Sequence, residues 1–202
     1  MVLCGMALIV MALQQPSFAS DINIFRYRAE RSDDLTHFPK WTDMLKRASE
    51  SEDVSCTVAN CEIRTLSDVV KSLPNETGVS LLRAVNDHFN QAKYILDIKN
   101  WGLKDYWATP LQFLMKDGDC EDYAITKYMA LRKLGLPASK MQVLVLQDEN
   151  LNILHSVLAV QEGGKTYILD NQIKSLVTDQ DIHHYRPIYS INEKAWWRYF
   201  PN

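Results

Sequence analysis

The stretch Gly118-Asp119-Cys120-Glu121-Asp122-Tyr123-Ala124 sets one cysteine between two acidic residues, with a third directly after it. A structural cysteine behaves as a small hydrophobe and gains nothing from flanking carboxylates. A reactive cysteine must expose a thiolate, which neighbouring negative charge opposes. The acids therefore either have a separate task or are neutralised. A thiol nucleophile also needs a base to take its proton and a third group to hold that base in one tautomer. His155 and Asp170 supply those types downstream. Alone, a strand histidine is usually a satisfied core residue and a strand-end aspartate a turn acceptor. Together, a cysteine at a helix start, a histidine on a strand and an aspartate ending the next strand make a Cys120–His155–Asp170 triad.

The elements that must position these residues are legible nearby. Cys120 to Leu134 has helical periodicity, with Ala124, Tyr128 and Leu131 on the side that Cys120 starts, and Gly135 and Pro137 end it. The cysteine is thus expected in the first turn, where free amides and the positive end of the helix dipole favour an anion. Beyond Pro137 the period changes from helical to alternating. MQVLVLQ, LNILHSVLAV and KTYILD read as strands, separated by Asp148-Glu149-Asn150 and Glu162-Gly163-Gly164, which predicts antiparallel hairpins. His155 shares a face with Val157 and Ala159, and Asp170 ends the third strand.

Four carboxylates fall within six residues, Asp117, Asp119, Glu121 and Asp122. Such local charge is unfavourable unless paired or bound to a cation, and calcium suits oxygen ligands of this kind. The loop is not an EF-hand, since counting from Asp117 puts Asp122 where glycine is needed and Tyr128 where the bidentate glutamate belongs. The alternative is capping: Asp119 as N-cap, Asp122 completing a capping box and Glu121 favouring the dipole. The two roles can be divided among different oxygens.

Upstream, Asp33 to Lys99 reads as helices with polar connections: one through Trp41, Met44, Leu45 and Ala48, then Cys61 to Leu73 and Val79 to Tyr94, with Pro74–Gly78 as breaker. Asn100 to Asp119 reads as a long aromatic-rich linker into the cysteine. Tyr106 or Trp107 could aid the Cys120 amide as a second oxyanion donor, against a packing role for both. His183 and His184 read as solvated, and Trp196–Phe200 as a packed aromatic end that could also meet a partner.

A chain of 202 residues, 47% hydrophobic with only 7 Gly and 7 Pro, is long enough for one sizeable core and is not disordered. We divide it into residues 1–19 as leader and 20–202 as one domain, with a helical lobe at about 33–99 and a core at about 100–202. A net charge of −3 carries no nucleic-acid footprint. Met1 to Leu13 is almost wholly apolar and Pro16-Ser17-Phe18-Ala19 follows, which reads as a signal peptide cut after Ala19. It departs from the usual pattern in lacking a Lys or Arg ahead of the run; an uncleaved anchor or a core helix are the alternatives. The run is short of the roughly 20 apolar residues of a membrane span, so no membrane insertion is expected after cleavage. Cys56 and Cys61 could form a short-loop disulfide in an oxidising compartment or remain buried thiols, and Cys120 is left over.

The motifs GDCEDYA, LHSVLAV and YILDN resemble those of the bacterial transglutaminase-like cysteine proteinases, from about Trp101 to Tyr199. The resemblance implies an α+β fold with a papain-like, transglutaminase-like core: an N-terminal helical lobe, then a helix carrying the cysteine at its start, packed on an antiparallel sheet. It implies calcium held by Asp119 and Glu121, with Asp122 a weaker candidate. It also implies a periplasmic endopeptidase that cuts a large surface adhesin near its N-terminus beside small residues, dispersing biofilm. Control would come from an inner-membrane cyclic di-GMP receptor whose periplasmic domain sequesters the enzyme. The rivals are a transamidase or deamidase, a cell-wall peptidase, and a silent binding module on the same fold.

Overall fold

The computed structural model describes residues 24–51 and 65–202. The expected leader, the Cys56 and Cys61 pair, and the first residues of the helix expected from Cys61 lie outside them. The order is β1 (Arg28–Ser32), α1 (Pro39–Ser51), α2 (Leu66–Ser72), α3 (Gly78–Phe89), α4 (Asp97–Asn100), α5 (Pro110–Lys116) and α6 (Cys120–Lys133). Then follow β2 (Met141–Asp148), β3 (Ile153–Glu162), β4 (Lys165–Leu169), β5 (Val177–Thr178), β6 (Tyr185–Ile191) and β7 (Trp196–Phe200). The fold is α+β: β1, then the helices, then the other six strands of a seven-stranded sheet in the order β1-β7-β6-β2-β3-β4-β5, antiparallel at every pairing.

Helix α6 is the hub of the helical layer. Ala124, Ile125, Tyr128 and Leu131 are all but inaccessible to solvent, packed with α1 through Trp41 and Met44, α3 through Leu82 and Val85, and the sheet through Val143, Leu158 and Val160. Alternate residues of the same strands, Leu144, Leu146, Val157 and Ala159, enter a second cluster with Ile24, Ile168, Trp197 and Tyr199. With both faces buried, β2 and β3 read as near-continuous apolar runs.

The two expected hairpins are present, and each has a local cause. Asp148 accepts from the amides of Asn150 and Leu151 at 2.9 and 3.1 Å, turning β2 into β3. Gly163 and Gly164 take the positive φ values, 57° and 77°, that a two-residue hairpin turn requires. The β3–β4 ladder stops at Leu158 opposite Leu169. The first half of β3, with His155, thus runs on without β4, and Asp170 leaves the ladder beside it.

The expected linker is not continuous coil. Pro110–Lys116 is helical because Thr109 and Gln112 form a reciprocal capping box and Pro110 occupies the first turn. The expected helix from Val79 to Tyr94 stops at Phe89, where Asn90 caps it. The aromatic end is strand β7, sandwiched between β1 and β6, with Trp197 and Tyr199 buried. No helix among the described residues is long and apolar enough to cross a membrane.

Candidate active site

Cys120 is the first residue of α6, and Asp119 is its N-cap. Asp122, three residues beyond the cap, accepts from the Asp119 amide at 3.3 Å with one oxygen and from the Ala108 amide at 2.7 Å with the other. Both bonds fix the approach of the chain to the helix. Gly118 is required in that approach, since a Cβ there would lie 2.7 Å from Asp122 Cβ.

His155 and Asp170 form a buried pair, Nε2 to Oδ1 at 2.9 Å. The Tyr185 hydroxyl donates to Asp170 Oδ2 at 2.7 Å and the Gln172 amide to Oδ1 at 2.8 Å. Burial alone would raise the Asp170 carboxyl, but the His155 bond and charge, then Gln172 and Tyr185, hold it below the usual range. With Nε2 committed to Asp170, the imidazole has Nδ1 left to act as base; Gln172 Nε2 lies 3.4 Å from it.

The strand that carries His155 bears on the thiol through its next residue: the Ser156 backbone favours the thiolate. Cys120 Sγ itself donates to Glu121 Oε2 at 3.3 Å rather than to the imidazole. The expectation of a thiol depressed by the helix start does not hold in this arrangement. Burial first, then the charges of Glu121 and Asp119, push it well up.

The acids gather around this point in a way the sequence did not suggest. Tyr94 pairs with Gly118 in a parallel bridge and the Ile95 amide donates to the Gly118 carbonyl at 2.9 Å, which lays Asp97 against Asp119. The Asp97 amide donates to Asp119 Oδ2 at 3.3 Å, and the Tyr106 amide to Asp97 Oδ2. Among the described residues, three sets have ligand atoms within 4.8 Å of one another: Asp119–Cys120–Glu121, Asp97–Asp105–Glu121 and Asp97–Asp119–Asp122. Asp117, also in the sequence cluster, belongs to none of them.

These residues fit a hard cation. Asp97 Oδ1 and Asp119 Oδ1 are buried and accept no hydrogen bond. Burial pushes Asp97 up to about 6 and Asp122 to about 8, and burial with the nearby Asp119 pushes Glu121 to about 9. Buried, mutually repelling carboxylates with orphaned oxygens are what bound positive charge relieves.

Tyr106 and Trp107 are occupied by packing. The Tyr106 ring lies 4.7 Å from Trp101, and Trp107 meets Trp41 edge-on at 6.1 Å in the core. His183 and His184 make no hydrogen bond to the His155–Asp170 pair; His184 meets the Tyr185 ring edge-on at 4.6 Å.

A cysteine heading a helix, with a strand histidine paired to an aspartate, on an α+β scaffold, is the layout of a transglutaminase-like cysteine protease. The chain belongs to the bacterial transglutaminase-like cysteine proteinase family, whose profile matches residues 54–200. Among solved structures it is similar to LapG of Legionella pneumophila, at 26% identity and a TM-score of 0.60 over 78% of this chain and 86% of that one. The calcium-bound form of that LapG gives 27% and 0.60 over 78% and 86%, and the EGTA-treated form 26% and 0.60 over 78% and 84%. No curated protein matches by sequence.

Proposed function

We propose that the chain is a calcium-dependent cysteine endopeptidase in which Cys120 is the nucleophile, His155 the general base and acid, and Asp170 the group that orients the imidazole. The observation that carries the reading is the buried 2.9 Å His155–Asp170 bond, which leaves Nδ1 as base on the strand whose next residue, Ser156, favours the thiolate. His155 takes the thiol proton, and Cys120 Sγ attacks the peptide carbonyl. The oxyanion faces the Cys120 amide at the free end of α6. His155 then protonates the departing amine, a water regenerates the thiol, and Asp170 stabilises the imidazolium throughout.

Asp119 and Glu121, joined by Asp97 and Asp105, are the residues that would hold calcium, with Asp122 more fully engaged by backbone amides. Calcium bound there supplies the positive charge that lets these carboxylates ionise beside a thiolate. The family and the calcium-bound LapG support that assignment.

Family membership and likeness to LapG also support a finer reading. It is a periplasmic enzyme, exported on residues 1–19 and acting as the single domain 20–202. Its substrate is a large surface adhesin cut near its N-terminus beside paired small residues, releasing it for biofilm dispersal. Its regulator is an inner-membrane cyclic di-GMP receptor with a sequestering periplasmic domain.

The test is the rate at which iodoacetamide labels Cys120 across pH, with calcium and with chelator, in wild type and His155→Ala. The expected result is labelling in calcium well below the free-thiol range near pH 8.5, lost in His155→Ala. Labelling that tracks an ordinary thiol in both proteins refutes the triad.

A further inference from the structure

Lys127 stands on α6 two turns beyond Cys120 and is completely buried. Its Nζ donates to Asn86 Oδ1 at 2.8 Å and to Asn90 Oδ1 at 2.7 Å, and lies 5.7 Å from the Tyr123 ring centre. Among the described residues no carboxylate is paired with it; burial lowers it to about 7, against the charges of Asp170 and Asp87. A methionine or leucine would fill the same space without the desolvation of an ammonium, so stability alone does not account for a lysine here.

The geometry gives it a different use. An ammonium only donates, so both asparagines must turn their amide oxygens towards it. For Asn90 this fixes the other end of the amide: Nδ2 donates to the Asp170 carbonyl at 2.7 Å. Asp170 is the first residue past the end of the β3–β4 ladder, so no strand pairing holds its backbone. The Asn90 bond takes that place, at the residue whose side chain grips His155.

We propose that Lys127 is a positioning residue for the aspartate that orients His155, locking the Asn90 amide so that Asn90 holds the Asp170 backbone with its carboxylate on His155. The inference rests on the Cys120–His155–Asp170 reading. Its test is the pH profile of Cys120 labelling by iodoacetamide in saturating calcium, on the full chain, for wild type, Asn90→Ala, Asn90→Asp, Lys127→Met, the Asn90→Ala/Lys127→Met double variant and His155→Ala. Asn90→Ala, at a helix cap, truncates a half-buried side chain and decides the matter if Lys127→Met does not fold. Asn90→Asp keeps an oxygen for the lysine, removes the donor to Asp170 and adds a charge that the Lys127 ammonium pairs.

In the folded variants the labelling midpoint is expected to rise by about one unit, which slows labelling about tenfold below it. The double variant is expected to be no slower than the slower single one. Asn90→Asp is expected to show the same rise while keeping its melting temperature, a split that a purely structural role does not produce. A wild-type profile in Asn90→Ala or Asn90→Asp, with His155→Ala reduced to an ordinary thiol, overturns the Lys127 proposal and leaves the triad standing. A wild-type profile in His155→Ala overturns both.

Discussion

Tyr185→Phe isolates one bond of the site without opening a cavity. The hydroxyl donates to Asp170 Oδ2 at 2.7 Å, and both residues are buried, 4% and 1% exposed. A hydrogen bond to a charged acceptor contributes about 1.5–3 kcal/mol, and its loss leaves one carboxylate oxygen buried and unpaired. At 1.36 kcal/mol per unit, the folded-state value for Asp170 should rise by about one to two units. Because that value is held below the unfolded one, the stabilisation is fully present above the unfolded range near 3.9 and is lost as pH falls through the folded value. The difference between wild type and Tyr185→Phe should therefore be largest at neutral pH and shrink below about pH 4. Urea unfolding at a series of pH values measures it, with Asp170→Asn closing a double-mutant cycle. A stability difference that stays constant down to acid pH refutes the reasoning, as does a coupling below about 0.5 kcal/mol at neutral pH.

Gly118→Ala forces a Cβ against Asp122 and disturbs both cap bonds; unfolding should register a loss of about 1–3 kcal/mol, and a neutral result would mean the loop yields freely. Calcium at about a hundredfold over its dissociation constant should stabilise the protein by about 2.7 kcal/mol in thermal melts. Asp97→Asn should abolish most of that gain, and an undiminished shift would place Asp97 outside the ligand set. Trp41→Ala empties a fully buried site between Trp107 and Tyr128 and breaks its 3.1 Å bond to the Asn192 carbonyl. A cost of about 3–5 kcal/mol in chemical denaturation is expected.

The local chemistry was written in the sequence. Cys120 heads a helix because an acidic cap precedes it and a helical run with Ala124, Tyr128 and Leu131 follows, and His155 falls on one strand with Asp170 just past the end of the next because turn residues punctuate alternating runs. The helix Pro110–Lys116 was equally legible, since Thr109-Pro110-Leu111-Gln112 is a capping box with proline in the first turn. At seven residues it is too short to carry a clear apolar period, which is why the linker reads as coil. The acidic cluster around Cys120 was visible too, but only the part contiguous in sequence.

What the fold alone decided is which distant groups complete each local one. Asp97 joins Asp119 through a bridge between Tyr94 and Gly118, Tyr185 reaches Asp170 from another strand, and Lys127 reaches Asp170 by way of Asn90. The Cys120 thiol turned upward in pKa for the same reason: a helix start favours an anion locally, whereas burial and the gathered carboxylates oppose it more strongly. Caps, turns and periodicity act over a few residues and leave their mark in the chain. Desolvation and charge proximity depend on which surfaces pack together, and only the tertiary structure sets those.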